Sequence, residues 1–221
     1  MKIHEWEPFL RTWSAERGAA LRADDPSEPP LGRLGFDPAP PERIAALETR
    51  LGAPLPPSYR SFLEVTDGWR WAGEFVELLA PAAEVGLLRE MTPFVLEDLT
   101  LWEQEDLEED EGENDEDDED EGEGDGDGDE GDDADDADDA DDADDDGYES
   151  ARWNRAVQVS LTGDQTWLLL DPGDVGEDGE WAAYRYSSWS GYGPVRHDSF
   201  AALMRAEYES FRALRIPGDA S

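Results

Sequence analysis

The chain has 221 residues, no cysteine and a formal net charge of −42. This length predicts one domain with a sizeable core, and the lack of cysteine excludes disulfides, thiolate catalysis and cysteine-based zinc sites. The 9 Trp, 7 Phe and 6 Tyr supply ample aromatic surface to bury in that core.

Most of the negative charge is concentrated in one stretch. Residues 103–146 contain 31 of the 59 acidic residues and no Lys or Arg, so the rest of the chain has 28 acids against 17 bases. Direct binding to nucleic acid is disfavoured, because affinity for phosphate backbones depends on clustered basic side chains. The charge favours a basic protein partner, whose encounter it would accelerate.

The chain shows no pattern typical of targeting or membrane segments. Residues 1–13 lack the apolar core of a secretion signal, and no apolar run is long enough to span a bilayer. We therefore expect a soluble, cytoplasmic protein with no membrane partner.

The first predicted elements are helices. Apolar side chains recur at helical spacing over residues 5–22, which predicts an amphipathic helix packed on the core. Residues 24–41 are rich in Pro and Gly and are expected to form a loop. A second helix is predicted from Pro41 to Leu51, and Gly52 supplies the left-handed residue that commonly ends a helix.

A proline corner leads into a third helix. Pro56 and Pro57 suit a first helical turn, where a missing N–H costs nothing. Tyr59, Phe62 and Leu63 then share one helical face. This stretch predicts a rigid scaffold and contains no nucleophile, metal ligand or phosphate-binding loop.

The middle of the chain ends in a sharp change of composition. Residues 74–79 favour a strand, 81–89 a short helix or turn, and 92–105 another helix. The acidic tract that follows has too few apolar side chains to offset the entropy of ordering it. We predict a disordered insert over residues 103–149, between two parts of one domain at 1–102 and 150–221.

The C-terminal part is predicted to contain strands and a closing helix. Strands are expected at 156–161, 166–170 and 180–187, with turns at 162–164 and 171–173. The second strand is apolar on both faces, as expected for a central strand. Ser199 is predicted to cap the final helix.

The central stretch resembles the signature of the SMI1/KNR4 (SUKH) superfamily, E-x-x-LG-x-x-LP-x-x-Y-x-x-F-L followed by a small polar residue and Gly. The matching residues are Glu48, Leu51, Gly52, Leu55, Pro56, Ser58, Tyr59, Phe62, Leu63, Asp67 and Gly68. The turn at 162–164, the Trp-containing hairpin and the closing helix extend the resemblance over nearly all of the chain except the insert. The expected fold class is α+β, with N-terminal helices packed on a mostly antiparallel sheet and a closing C-terminal helix.

The sequence contains few of the parts that catalysis needs. His4 and His197 each stand alone, and no nucleophile elbow, P-loop or dinucleotide fingerprint is present. Asp164 and Asp171 flank a predicted strand, where turn residues usually hydrogen-bond their own backbone. The DGDGD segment fits no calcium-loop register, because the twelfth position is Ala134 rather than Glu in one register and the sixth position is Glu130 rather than Gly in the other. We expect no enzyme activity, no cofactor and no metal site.

The resemblance implies a function in binding. Bacterial members of the superfamily are implied to be immunity proteins that neutralise a cognate nuclease or deaminase toxin, here expected to be basic. The alternative is a regulatory scaffold whose acidic tract engages basic partners, and an enzyme is the third and weakest reading. Whether the insert imitates DNA or only aids solubility stays open, as does the oligomeric state. The candidate partner-binding residues are Trp69, Trp71, Glu74, Trp189 and Tyr192.

Overall fold

Helices form both ends of the described chain. The structure is a computed structural model that describes residues 1–27, 32–112 and 150–215, with the backbone alone for 105–112 and 215. The helices in these ranges are α1 (Ile3–Asp24), α2 (Pro41–Leu51), α3 (Pro57–Leu63), α4 (Leu88–Met91), α5 (Pro93–Gly112), α6 (Ala151–Arg155) and α7 (Phe200–Arg215).

The strands of the described residues form two antiparallel sheets. The smaller has the order β1-β2-β5 and the larger the order β3-β4-β6-β7-β8. The strands are β1 (Trp69–Arg70), β2 (Val76–Leu79), β3 (Gly86–Leu87), β4 (Val157–Gln158), β5 (Ser160–Gly163), β6 (Thr166–Val175), β7 (Trp181–Ser187) and β8 (Val195–His197). Helices, antiparallel sheets and a C-terminal helix confirm the predicted α+β fold class.

Strand β6 separates two hydrophobic cores because its side chains alternate across the sheet. Leu168 and Leu170 lie in the larger core with side chains from α1, α3 and α7. Leu169 points the other way, into a smaller core with side chains from α4, α5 and α6. The prediction that this strand is apolar on both faces is confirmed.

Aromatic rings join the N-terminal helices to the closing helix. The Trp6 ring of α1 lies 5.3 Å from Phe62 of α3 and 5.8 Å from Phe200 of α7. Tyr59 and Phe200 meet edge to face at 4.8 Å. Burial of these large rings attaches both ends of the chain to one core.

Polar residues of the central signature hold the corner between α2 and α3. Glu48 accepts hydrogen bonds from the Leu55 N–H at 3.1 Å and from Arg60 at 2.5 Å. Gly52 has φ +71, the left-handed conformation expected of a residue that ends a helix. Asp67 accepts from the Ala82 N–H at 2.7 Å and pairs with Arg43. These signature side chains therefore stabilise the fold.

Ser58 connects three elements from a fully buried position. Its N–H and hydroxyl donate to the Glu180 carboxylate at 2.9 and 2.7 Å, and its Oγ accepts from the Ala201 N–H at 3.3 Å. Helix α3 is thereby bonded to the start of β7 and to α7.

Ser58→Ala is expected to lower the free energy of unfolding by about 2 kcal/mol, because it deprives buried polar groups of their partner. Urea denaturation measures this value. Ser27→Ala is the control, since that exposed hydroxyl bonds the nearby Asp25, and it should change stability by less than about 0.5 kcal/mol. Equal effects of the two substitutions would contradict the connecting role of Ser58.

Several local predictions differ from the structure. Residues 156–161, predicted as one strand, are divided between β4 and β5, which lie in different sheets, and β3 lies within residues 81–89, predicted as a short helix or turn. Residues 171–173, predicted as a turn, lie within β6, where the pairing with β7 is irregular between Asp171 and Val175. The Asp171 carboxylate accepts from the Gly173 N–H at 2.8 Å, as a turn aspartate would, while the strand continues past it. Helix α5 extends to Gly112, beyond its predicted end at residue 105.

The described residues do not test the predictions about the acidic tract. Residues 113–149 lie outside the described part of the chain, so the predicted disorder of the insert stays a prediction, as do the domain boundaries. Among the described helices, none has both the length and the apolar character needed to cross a membrane.

Candidate partner-binding surface

The loop 188–193, between β7 and β8, carries two exposed aromatic side chains. Trp189 is 51% exposed and Tyr192 is 78% exposed. The loop is bonded to the neighbouring β5–β6 turn, because the Trp189 indole N–H donates to the Asp164 carbonyl at 3.0 Å and the Ser188 N–H donates to that of Gln165 at 3.2 Å. Both rings are thus presented from an anchored loop.

Trp189 lies beside a second loop, residues 71–75. Its ring is 5.1 Å from that of Phe75. The adjacent Glu74 pairs with Arg17 of α1 at 2.7 Å, and the Arg17 guanidinium lies 5.5 Å from the centre of the Trp71 ring. We call Trp71, Glu74, Phe75 and Trp189 the tryptophan surface. Three of the predicted site residues, Trp71, Glu74 and Trp189, are therefore brought together.

The buried carboxylate of Glu207 packs against the loop that carries the tryptophan surface. Glu207 of α7 is buried and pairs with Arg185 at 3.0 Å, and Arg185 lies 5.6 Å from the Phe75 ring. Burial raises the pKa of Glu207 to about 7, against the opposing effect of Arg185. A Cβ at Gly73, whose φ is +93, would lie 2.2 Å from the Glu207 carboxylate. The 71–75 loop thus rests directly on this carboxylate.

Trp69 does not lie on the surface, contrary to its prediction as a partner-binding residue. Its side chain is fully buried, 6.0 Å from the Trp13 ring of α1, and its backbone pairs with Leu79. The strand directs residue 69 into the core before the chain turns at Trp71, which has φ +51. Trp69 stabilises the fold and is not accessible to a partner.

Tyr192 lies on the other side of the loop, facing α5. A cavity of about 350 Å³ separates them, which we call the α5 groove, and it is lined by Asp98, Leu101, Trp102, Tyr186, Ser188, Gly191 and Tyr192. The Trp102 ring packs on Gly193 so closely that a Cβ there would lie 2.0 Å from it. Sequence reasoning missed this groove, because no local pattern pairs α5 with a loop 90 residues away.

The described residues offer little for catalysis. His197 is half-buried beside Arg185, and burial and that positive charge lower its pKa. The fully buried Asp171 is engaged by Arg155 through two hydrogen bonds. No group of three or more His, Asp or Glu in these ranges is placed to hold a metal ion. The largest cavity described, about 810 Å³ beside Arg43 and Asp67, is an open groove whose Asp67 already has structural partners.

A comparison with protein families identifies the family to which this chain is related. The model of the SMI1 / KNR4 family (SUKH-1) matches residues 38–206, which is most of its length. The chain belongs to the SMI1/KNR4 (SUKH-1) family. Comparisons with curated proteins and with solved structures give no match.

In this SUKH-1 protein, the match includes the corner between α2 and α3, every strand, the loop 188–193 and part of α7. The signature residues Glu48, Ser58 and Asp67 hold backbone and helices in place. Family membership therefore accounts for the fold, and Trp189 and Tyr192 remain exposed on the loop 188–193.

Proposed function

We propose that this SUKH-1 protein is a non-enzymatic, cytoplasmic immunity protein of bacterial type, which neutralises a cognate toxin by direct binding. The observation that carries the proposal is the anchored loop with exposed Trp189 and Tyr192. Trp and Tyr dominate the energetic hot spots of interfaces, and their rings lose little conformational entropy on binding. The partner would contact this end of the molecule.

The charge of the chain supports a basic toxin domain, such as a nuclease or deaminase. The formal net charge is −42, and residues 90–151 contain no Lys, Arg or His. Such a field accelerates the encounter with a positively charged protein and depends on ionic strength. Binding would occlude the surface that the toxin uses for its substrate.

Trp189→Ala and Tyr192→Ala are each expected to weaken binding to the toxin domain encoded beside this gene by about 30-fold or more, as for interface hot spots. Titration calorimetry gives Kd, and inhibition of the toxin gives neutralisation. Raising the salt concentration should slow association of the unsubstituted chain.

Val175→Ala is the matched control, because Val175 is also about half exposed but lies at the opposite end of β6 from the loop. It should leave Kd unchanged. The proposal would be abandoned if no adjacent toxin domain binds, or if the two aromatic substitutions have no more effect than the control.

A regulatory scaffold is the second candidate, favoured by the 31 acidic residues in 103–146. It is separated from the first by a pull-down with the full chain and with residues 113–149 replaced by a Gly/Ser linker, which preserves α5. Retention of one partner by both chains supports recognition by the folded domain. Loss of that partner with the tract supports recognition by the polyanion.

A further inference from the structure

We propose that the α5 groove is a receptor site for one Arg or Lys side chain of the partner, which stacks on Trp102 and Tyr192 and pairs with Asp98. The inference deepens the proposed function and rests on it for the identity of the partner as a basic protein. It adds a second contact point, beside the tryptophan surface, and specifies its chemistry.

The shape of the groove suits a single inserted side chain. Its volume of about 350 Å³ is at the lower end of the range for ligand clefts. Tyr192 and Leu101 are 78% and 59% exposed, although both are large apolar side chains. Trp102 is held against Gly193, so one wall of the groove is already positioned before a partner arrives.

The charge of the groove selects a cation. Asp98 is exposed and has no basic partner among the described residues. Arg152, a basic side chain that does reach α5, pairs instead with Glu103 at 3.3 Å. A carboxylate beside aromatic faces attracts guanidinium and ammonium groups, by ion pairing and by cation–π interaction. Arg is favoured over Lys, because its planar group can stack and pair at once.

The occupant is a partner protein rather than a second copy of this chain. Each copy would bring a net charge of −42 to the contact, and such self-repulsion keeps proteins apart. A groove with an unneutralised carboxylate in a stretch of chain without bases, residues 90–151, is complementary to a basic surface.

The test uses the full chain and a peptide probe, so it does not require the toxin. Acetyl-GRGRG-amide is titrated at 150 mM NaCl while the indole N–H resonances are followed by NMR, the Trp102 signal being assigned with Trp102→Phe. The matched peptide has citrulline for arginine, which keeps the shape and removes the charge. Asp98→Asn and Tyr192→Ala test the two parts of the site, and Glu97→Gln, an exposed neighbour on α5, is the control.

We expect a saturable shift of the Trp102 signal with the arginine peptide and none with the citrulline peptide. Asp98→Asn and Tyr192→Ala should each raise Kd about threefold to tenfold, and Glu97→Gln should not. No Trp102 shift, an equal shift with both peptides, or equal effects of Asp98→Asn and Glu97→Gln would overturn the inference. So would self-association of the peptide-free chain that Tyr192→Ala abolishes. These results are independent of toxin neutralisation, which the separate binding and inhibition measurements test.

Discussion

Arg155→Met is expected to lower the free energy of unfolding by about 3 kcal/mol, because it leaves a fully buried carboxylate without its cation. Arg155 donates to both oxygens of Asp171, at 2.6 and 2.9 Å. Asp171 is completely buried, and the remaining donor, the Gly173 N–H, does not neutralise its charge. The expected loss is at the lower end of the range for broken buried ion pairs, because the Arg155 side chain is itself 40% exposed. Urea denaturation measures it.

Arg152→Met is the matched control, a neighbouring arginine of similar exposure whose partner Glu103 is not fully buried. It should cost less than about 1 kcal/mol. Asp171→Asn added to Arg155→Met should recover part of the loss, because the uncompensated charge is then removed. Equal effects of the two methionine substitutions, or no recovery in the double variant, would show that the charge of Asp171 is not what makes Arg155 necessary.

Glu207→Gln is expected to change the dependence of stability on pH. Burial raises the pKa of Glu207 to about 7, above its unfolded value near 4.5, so the folded state binds the proton more tightly. The contribution of this group is fully present below about pH 4.5 and is lost as pH rises through about 7. Between pH 5 and 8.5 the unfolding free energy of the unsubstituted chain should therefore fall, relative to that of the variant, by up to about 3 kcal/mol.

The difference in unfolding free energy between the unsubstituted chain and Glu207→Gln isolates the effect of Glu207. Other titrating groups are present in both chains, including His197, whose lowered pKa acts on stability in the opposite direction. Glu209→Gln, at an exposed glutamate on the same helix, is the control and should show a much smaller change with pH than Glu207→Gln. If the difference for Glu207→Gln is constant with pH, its pairing with Arg185 outweighs burial.

Helices α1, α2, α3 and α7 were predictable because their signals are local, whereas the end of α5 at Gly112 was not. The apolar spacing of α1, the prolines that begin α2 and α3, and the cap at Ser199, whose hydroxyl accepts from the Ala202 N–H at 3.1 Å, each involve residues within a few positions. The continuous apolar run of β6 also predicted a central strand, and its leucines do enter both cores. Periodicity and capping depend on backbone geometry that any four or five residues define.

The candidate surface was predictable only in part. Trp71 and Trp189 are predicted as loop aromatics, but Trp189 meets the 71–75 loop through Phe75, which no local pattern distinguishes. Trp69 lies only two residues before Trp71, yet β1 directs its side chain into the core. Asp171 is predicted as a turn residue, because its partner Arg155 comes from a different element and no local pattern reveals the pair.

The amino-acid sequence was sufficient to predict the family, the α+β class and the positions of the principal helices, since these depend on a spaced signature and on local periodicity. The accessible tryptophans, the raised pKa of Glu207 and the groove between α5 and the loop 188–193 became visible only in the folded structure. Burial and electrostatic environment arise from residues far apart in the chain, such as Glu207 with Gly73 and Trp102 with Gly193. Such contacts leave no periodic trace in the sequence, because only the packed fold brings their partners within a few ångströms.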